Sequence, residues 1–320
     1  MTEAVLSPRS QPELEPSPSQ ELLSVGQTSL GQLVWRRFRR HPGALVGVVV
    51  LALIILCCLL AFLSPYDPEL SDITIRLQPP SWAHPFGTDS LGRDLLTRVL
   101  YGGRISLLVG FMVVSITLLI GVPVGAIAGY FGGWVDDVLM RIIDSALALP
   151  SLMILILLSA VLREIDVPFI QRNNVLTIAF VIGILSWMTV ARLVRAIFLT
   201  MREMEYVSAA RALGASNFRI IASEILPNGF GPIIVESTLE IGWAIMEESG
   251  LSFLGFGIQP PTPSWGNLLN NALEHLSRHP WLAIFPGLMI FLTIIAVNYI
   301  GDGLRDALDP YKILQQIDET

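Results

Sequence analysis

Six long apolar stretches set the terms for what this chain can become. Residues 42–64, 105–135, 145–162, 173–191 and 280–301 carry no charge, and 229–256 is apolar apart from its glutamates. A helix needs about 20 mainly apolar residues to cross a bilayer. Lipid offers no partner to an unpaired backbone group, so a spanning segment of this length must satisfy its own hydrogen bonds as a helix. The expectation is an all-α integral membrane protein with six transmembrane helices. Composition agrees. Charged residues make up 15% of the chain, against about 25% in ordinary soluble domains.

The segments outside these stretches divide the chain. Residues 1–29 hold Pro8, Pro12, Pro16 and Pro18 among Ser, Glu and Gln, with no apolar run. That composition predicts a disordered tail and neither a signal peptide nor a core element. Residues 30–41 begin LGQLVWRRFRR. Leu30, Leu33, Val34 and Phe38 share one helical face and Arg36, Arg37, Arg39 and Arg40 lie mostly elsewhere, which is the pattern of a helix lying in the headgroup layer. A plain arginine flank is the alternative. Residues 42–304 form the six-span domain, and 305–320 a C-terminal tail. The arginines before the first span argue for a cytoplasmic N-terminus. Alternation then places 205–228 and the C-terminus in the cytoplasm and the loops 65–104, 163–174 and 257–280 outside. Arg76, Arg93, Arg98 and Arg104 conflict with that rule, since they sit in the first outer loop.

Several chemistries are disfavoured. The adjacent Cys57 and Cys58 make neither a staple nor a zinc spacing. No basic stripe with interleaved aromatics suggests nucleic acid. Of the twenty Lys and Arg residues only Lys312 is a lysine, and its neighbours Tyr311 and Ile313 are not those of a phosphate-binding Gly-Lys-Ser/Thr loop. ATP-driven work by this chain would need another polypeptide. No G-x-S-x-G or H-E-x-x-H set appears. His275 and His279 stand four apart beside Glu274, but no third or fourth metal ligand is evident. Asp144, ahead of Pro150, reads as a cap or ion-pair partner near the cytoplasmic end of span three.

One polar interruption stands out. Residues 205–228 read EYVSAARALGASNFRIIASEILPN. The pattern predicts a helix from Glu205, a break at Gly214-Ala215-Ser216-Asn217 with Ser216 or Asn217 capping a second piece, and Leu226-Pro227-Asn228 leading into span five. On pattern alone this is either a solvated helical loop or a docking surface for a soluble partner.

The stretch resembles the EAA motif of ABC-importer permeases. Ser208-Ala209-Ala210, Gly214 and Leu226-Pro227 occupy the motif's places at its spacing. Ser208 stands where the family has Glu, and Glu224 where it has Ile or His. The segments FGTDSLGRDLLTRVLYGGRISL, GGWVDDVLMRIIDSALALPSL, EESGLSFLGFGIQPPTPSWGNLL and DGLRDALDPY are similar to the C-type permeases of the dipeptide, oligopeptide and nickel branch. The resemblance covers roughly residues 30–312. It implies the type I ABC importer fold and a non-catalytic subunit in the cytoplasmic (inner) membrane of a bacterium or archaeon. It implies a second homologous permease as heterodimer partner, two ATPase subunits that bind ATP and Mg, and an extracytoplasmic solute-binding protein. It also implies that 205–228 is a coupling helix docking on an ATPase, with Glu205, Ser208, Ala209, Ala210, Arg211, Gly214, Ala215, Leu226 and Pro227 at the contact.

In span five Glu236, Glu240 and Glu247 fall on a narrow stripe with Trp243. Charges within a span avoid lipid. They either pair with arginines of a neighbouring helix or subunit, or line a pathway that favours cationic groups. A self-contained proton-coupled carrier using these carboxylates is the competing function. It leaves the docking helix unexplained.

Overall fold

The computed structural model describes residues 30–164 and 173–309. The tail 1–29, most of the outer loop 163–174 and Lys312 with the end of the C-terminal tail lie outside the described residues.

The described residues are almost wholly helical. In order they form α1 (Leu30–Phe38), α2 (Pro42–Leu59), α3 (Leu95–Phe131), α4 (Gly133–Leu147), α5 (Ser151–Glu164), α6 (Asn174–Met201), α7 (Glu205–Ala212), α8 (Asn217–Arg219), α9 (Phe230–Phe253), α10 (Trp265–Ala272) and α11 (Trp281–Leu308). Four helical segments are long and apolar enough to cross a membrane: Pro42–Leu63, Leu95–Phe131, Asn174–Met201 and Trp281–Leu308. The other two expected spans are bent. α4 and α5 meet at 85°, and the segment Asn217–Ile225 meets α9 at 73°. Counting each bent pair once gives six.

The bends have local causes. Pro150 cannot donate to the preceding turn and pushes the residue before it out of the helical region, so α4 stops at Leu147 and α5 starts at Ser151. The expected span 145–162, with Pro150 inside it, is therefore part of an elbow. Near the second bend, Ile220–Ile225 winds as a π-helical turn, closed by the Leu226 amide donating to the Ile221 carbonyl at 3.0 Å. Pro227 follows at once and donates nothing.

α3 departs most from expectation. Within 105–135, Pro123 and several glycines favour a kink or an early end. The helix instead starts at Leu95 and runs 37 residues through Pro123. At 1.5 Å per residue that is about 55 Å, well beyond a ~30 Å hydrocarbon core. The glycines serve packing. Gly121, Gly125 and Gly129 recur every four residues on the face against α6, where a Cβ would meet the backbone of Trp187, Ala191 and Arg195 in turn. Small residues at this spacing let two helices approach closely in lipid, where no hydrophobic force drives them together.

Three of the four arginines that conflicted with the charge rule are engaged by the fold, and Arg76 is exposed. Arg93 pairs with Asp89 at 2.7 Å. Arg98 is fully buried, 3.5 Å from Asp89, and donates to the Pro68 carbonyl at 2.7 Å. Arg104 donates to the Cys58 and Leu59 carbonyls, each at 2.6 Å, capping the end of α2. Asp94 caps α3 through the Thr97 amide at 2.8 Å and meets His84 Nδ1 at 2.9 Å. This network fastens residues 64–94 over the C-terminal end of α2 and the N-terminal end of α3.

α1 packs differently from a helix that inserts its apolar face in lipid. Phe38 is buried against Ala44 and Ala307, with Val34, Ile300 and Leu304 alongside. Its apolar side is covered by the ends of α2 and α11.

Candidate functional site

The polar interruption folds as two short pieces around a left-handed glycine. α7 ends in a Schellman arrangement: Ala215 N–H donates to the Ala210 carbonyl at 3.1 Å, and Gly214 N–H to the Arg211 carbonyl at 3.0 Å. Gly214 has φ +81°, a region that favours glycine. A Cβ there would meet open space, so the demand is conformational and not steric. Ser216 caps α8, its hydroxyl accepting from the Arg219 amide at 3.4 Å.

The inner side of this unit is buried in the membrane domain. Val207, Ile220 and Ile225 are fully buried and pack with Ala126 and Tyr130 of α3, Val190, Val194 and Phe198 of α6, and Ile233 of α9. Tyr130 Oη donates to Asn217 Oδ1 at 2.9 Å. Arg202 reaches the Gly129 carbonyl at 3.1 Å. The unit is thus seated on the ends of the two glycine-seamed helices.

Its outer side carries most of the expected contact residues. Glu205, Ser208, Ala209, Arg211, Gly214 and Pro227 are exposed. Ala210, Ala215 and Leu226 are half-buried and pack inward. Two residues absent from the motif dominate the outer surface: Leu213 is 89% exposed and Phe218 80%. They flank the glycine break, and as the large apolar residues between Ser208 and Arg219 they were the available signal.

The glutamate stripe forms only in part. Glu240 is buried at 7% exposure, with Ser186 of α6 as a polar neighbour. Glu236 and Glu247 are half-buried, while Trp243 is 59% exposed on the same stripe. Among the described residues no Arg, Lys or His lies within 4.0 Å of these three carboxylates. Pairing with a described arginine of this chain is not what holds them.

Sequence reasoning overlooked their neighbour Glu248. It is fully buried and accepts from Ser106 Oγ at 2.9 Å, Ser252 Oγ at 2.7 Å and Ser249 Oγ at 3.4 Å. Ser106 Oγ accepts from the Trp265 amide at 3.2 Å, and Ser252 Oγ from the Ile258 amide at 3.0 Å. The carboxyl group thereby joins α3, α9, α10 and the loop between the last two. Serines one and four residues after a glutamate were the readable sign.

The remaining candidates are peripheral. Asp144 pairs with Arg192 at 3.8 Å, both exposed. Arg195 pairs with Asp136 through both carboxylate oxygens, joining α6 to α4. The His275 and His279 rings lie 6.2 Å apart, and His279 packs edge-on against Trp281.

Comparison with known proteins places this architecture. A family profile described as "Binding-protein-dependent transport system inner membrane component" matches residues 121–313. The "N-terminal TM domain of oligopeptide transport permease C" matches 29–80. The dipeptide transport system permease protein DppC of Bacillus subtilis is 43% identical over 91% of this chain and 90% of its own. The DppC of Alkalihalophilus pseudofirmus is 42% identical over 86% and 88%. The oligopeptide transport system permease protein OppC of Bacillus subtilis is 40% identical over 91% and 92%. A solved structure of the MetNI methionine ABC transporter, inward facing, aligns with TM-score 0.55 at 15% identity, covering 66% of this chain and 96% of its own. That likeness speaks to the fold, which is that of a type I ABC importer permease. Nothing in these relatives supports a self-contained carrier. The chain belongs to the family of binding-protein-dependent transport system inner membrane components, in the branch with the oligopeptide permease C N-terminal domain.

Proposed function

We propose that this chain is one of two homologous permeases in an ATP-driven importer of di- or oligopeptides, and that α7 and α8 couple it to an ATPase subunit. The observation that carries the reading is the two-sided coupling unit. Its inner side is locked to α3 and α6, and its outer side offers Leu213 and Phe218 to a soluble partner. A displacement applied there passes into the membrane as a rigid-body motion, because packed helices shift between discrete arrangements and do not deform smoothly.

Membership of the family supports a wider assembly. Two ATPase subunits hold ATP and Mg, and an extracytoplasmic binding protein delivers the solute. The N- and C-termini and the 205–228 segment lie in the cytoplasm, with residues 1–29 a tail there and α1 at the headgroup layer. Each chain presents only part of a pathway wall, so a second permease completes it. Glu236, Glu240, Glu247 and Trp243 line that pathway and favour amine-bearing solutes. Peptide as the solute rests on the dipeptide and oligopeptide systems to which the relatives belong.

The test is Leu213→Asp combined with Phe218→Asp in the complete complex. Uptake in proteoliposomes and solute-stimulated ATP hydrolysis should both fall at least tenfold, with the permease pair still assembled. Full uptake would overturn the coupling role.

A further inference from the structure

We propose that the outward face of α1 is a docking site for the phosphates of anionic phospholipids. The inference rests on α2 being a membrane span and not on the direction or cargo of transport.

Position is the first support. His41 caps α2, its Nδ1 accepting from the Ala44 amide at 3.0 Å, and Pro42 opens the span. The backbone turns sharply between the helices, with Arg40 N–H on the Arg37 carbonyl at 2.9 Å and His41 N–H on the Phe38 carbonyl at 3.1 Å. The arginines just before it are therefore held at the boundary where hydrocarbon gives way to headgroups.

Orientation is the second. With Phe38 and Val34 packed against this chain's own Ala44, Ala307, Ile300 and Leu304, the rotation of α1 is fixed. Arg36 and Arg39 then fall on the opposite, exposed side, with exposed Arg40 in the turn beyond, and Trp35 lies on the flank between, its ring stacked on Phe38 at 6.1 Å. Arg39 lies over the Trp35 ring at 5.5 Å. Trp35, at 58% exposure, is the residue type that settles at the membrane–water interface.

Charge is the third. Arg36, Arg39 and Arg40 form no ion pair within 4.0 Å among the described residues. The nearby Asp306 instead faces His41, at 3.6 Å. Three guanidinium groups without an ion pair among the described residues, and one indole, call for a multiply accepting anion at the bilayer surface, and a lipid phosphate is such an anion. Because the apolar side of α1 is already occupied, binding is electrostatic and not insertion of the helix.

The test uses the full-length chain in its assembled complex, in neutral detergent, titrated with fluorescent phosphatidylglycerol or phosphatidylcholine. The wild type should bind phosphatidylglycerol about tenfold or more tightly than phosphatidylcholine, as expected for several basic groups near an anionic lipid. That preference should shrink as salt rises. Arg36→Gln, Arg39→Gln and Arg40→Gln together should abolish the preference, with phosphatidylcholine binding and the size-exclusion profile unchanged. The corresponding triple Lys variant should retain most of it. An unchanged preference in the Gln variant would overturn the proposal. So would a Gln variant that keeps the preference but loses an ATPase subunit, because the arginines would then serve a protein partner. A variant that does not assemble is replaced by the three single Gln substitutions. The proposal requires that each weaken phosphatidylglycerol binding, and it is overturned if none does.

Discussion

Tyr130 and Asn217 meet at 2.9 Å across 87 residues of sequence. One closes the 37-residue helix α3, and the other opens α8 in the segment outside the membrane domain. The bond spans the junction between the unit that would take up force and the helix that would carry it. Because α3 is far longer than the bilayer is thick, the same rod reaches the outer network of Asp94, His84 and Arg98.

Tyr130→Phe removes this bond and keeps the ring. A side-chain hydrogen bond of this kind contributes about 0.5–1.5 kcal/mol. The expected outcome is normal assembly with a raised ratio of ATP hydrolysed to solute imported. Combining it with Asn217→Ala should add little, since both changes remove one interaction. Additive losses in the double variant would show that the two residues act separately.

Gly214 makes a different prediction from the one its motif suggests. The motif invites a crowding argument, yet a Cβ there finds open space. The strain is in φ, and a left-handed non-glycine residue costs about 1–2 kcal/mol. Gly214→Ala and Gly214→Leu should therefore impair uptake to a similar degree, and Gly214→Asn less, because Asn tolerates this region. Insertion and membrane level should be unchanged in all three. A Leu variant far worse than Ala would point to a partner packed against this position.

Glu248→Leu leaves the hydroxyls of Ser106 and Ser252 buried without their acceptor, at about 1–3 kcal/mol for each such group. Glu248→Gln keeps an acceptor and should lose much less. Thermal unfolding of the purified complex in detergent separates them: the Leu variant should melt clearly below wild type and the Gln variant close to it. Equal melting of all three would remove Glu248 as the tie between α3, α9 and α10.

The six apolar stretches, the glycine break and the capping Ser216 were legible because each rests on local chemistry. What escaped was angular and pairwise. Pro150 announces a break but not an 85° elbow. Gly121, Gly125 and Gly129 carry no sequence sign of their role, and only the facing backbone of α6 reveals a seam. Arg98 read as a charge in an outer loop until Asp89 and the Pro68 carbonyl were seen around it. The glutamate stripe drew attention to Glu247, while the carboxylate held by serines is one residue further on.

Glu240 decides what the stripe is for. A charged side chain near the bilayer centre costs about 2.5–3.5 kcal/mol on the insertion scale, so this carboxyl group must face protein or a water-filled path. Ser186 of α6 is a polar neighbour here, and no cation stands within 4.0 Å of it among the described residues. If the stripe lines the pathway, Glu240→Gln should leave complex yield on size exclusion unchanged and weaken uptake of amine-bearing peptides several-fold. Uptake of a peptide with a blocked amino terminus should change little. If an arginine of the second permease is the partner, the same change strands that arginine in a buried site. Breaking a buried pair this way costs about 3–5 kcal/mol, so yield and thermal stability would fall for every solute alike. Measuring yield first and uptake second, on one preparation, separates these outcomes. Unchanged yield with unchanged uptake of both peptides would remove Glu240 from either role.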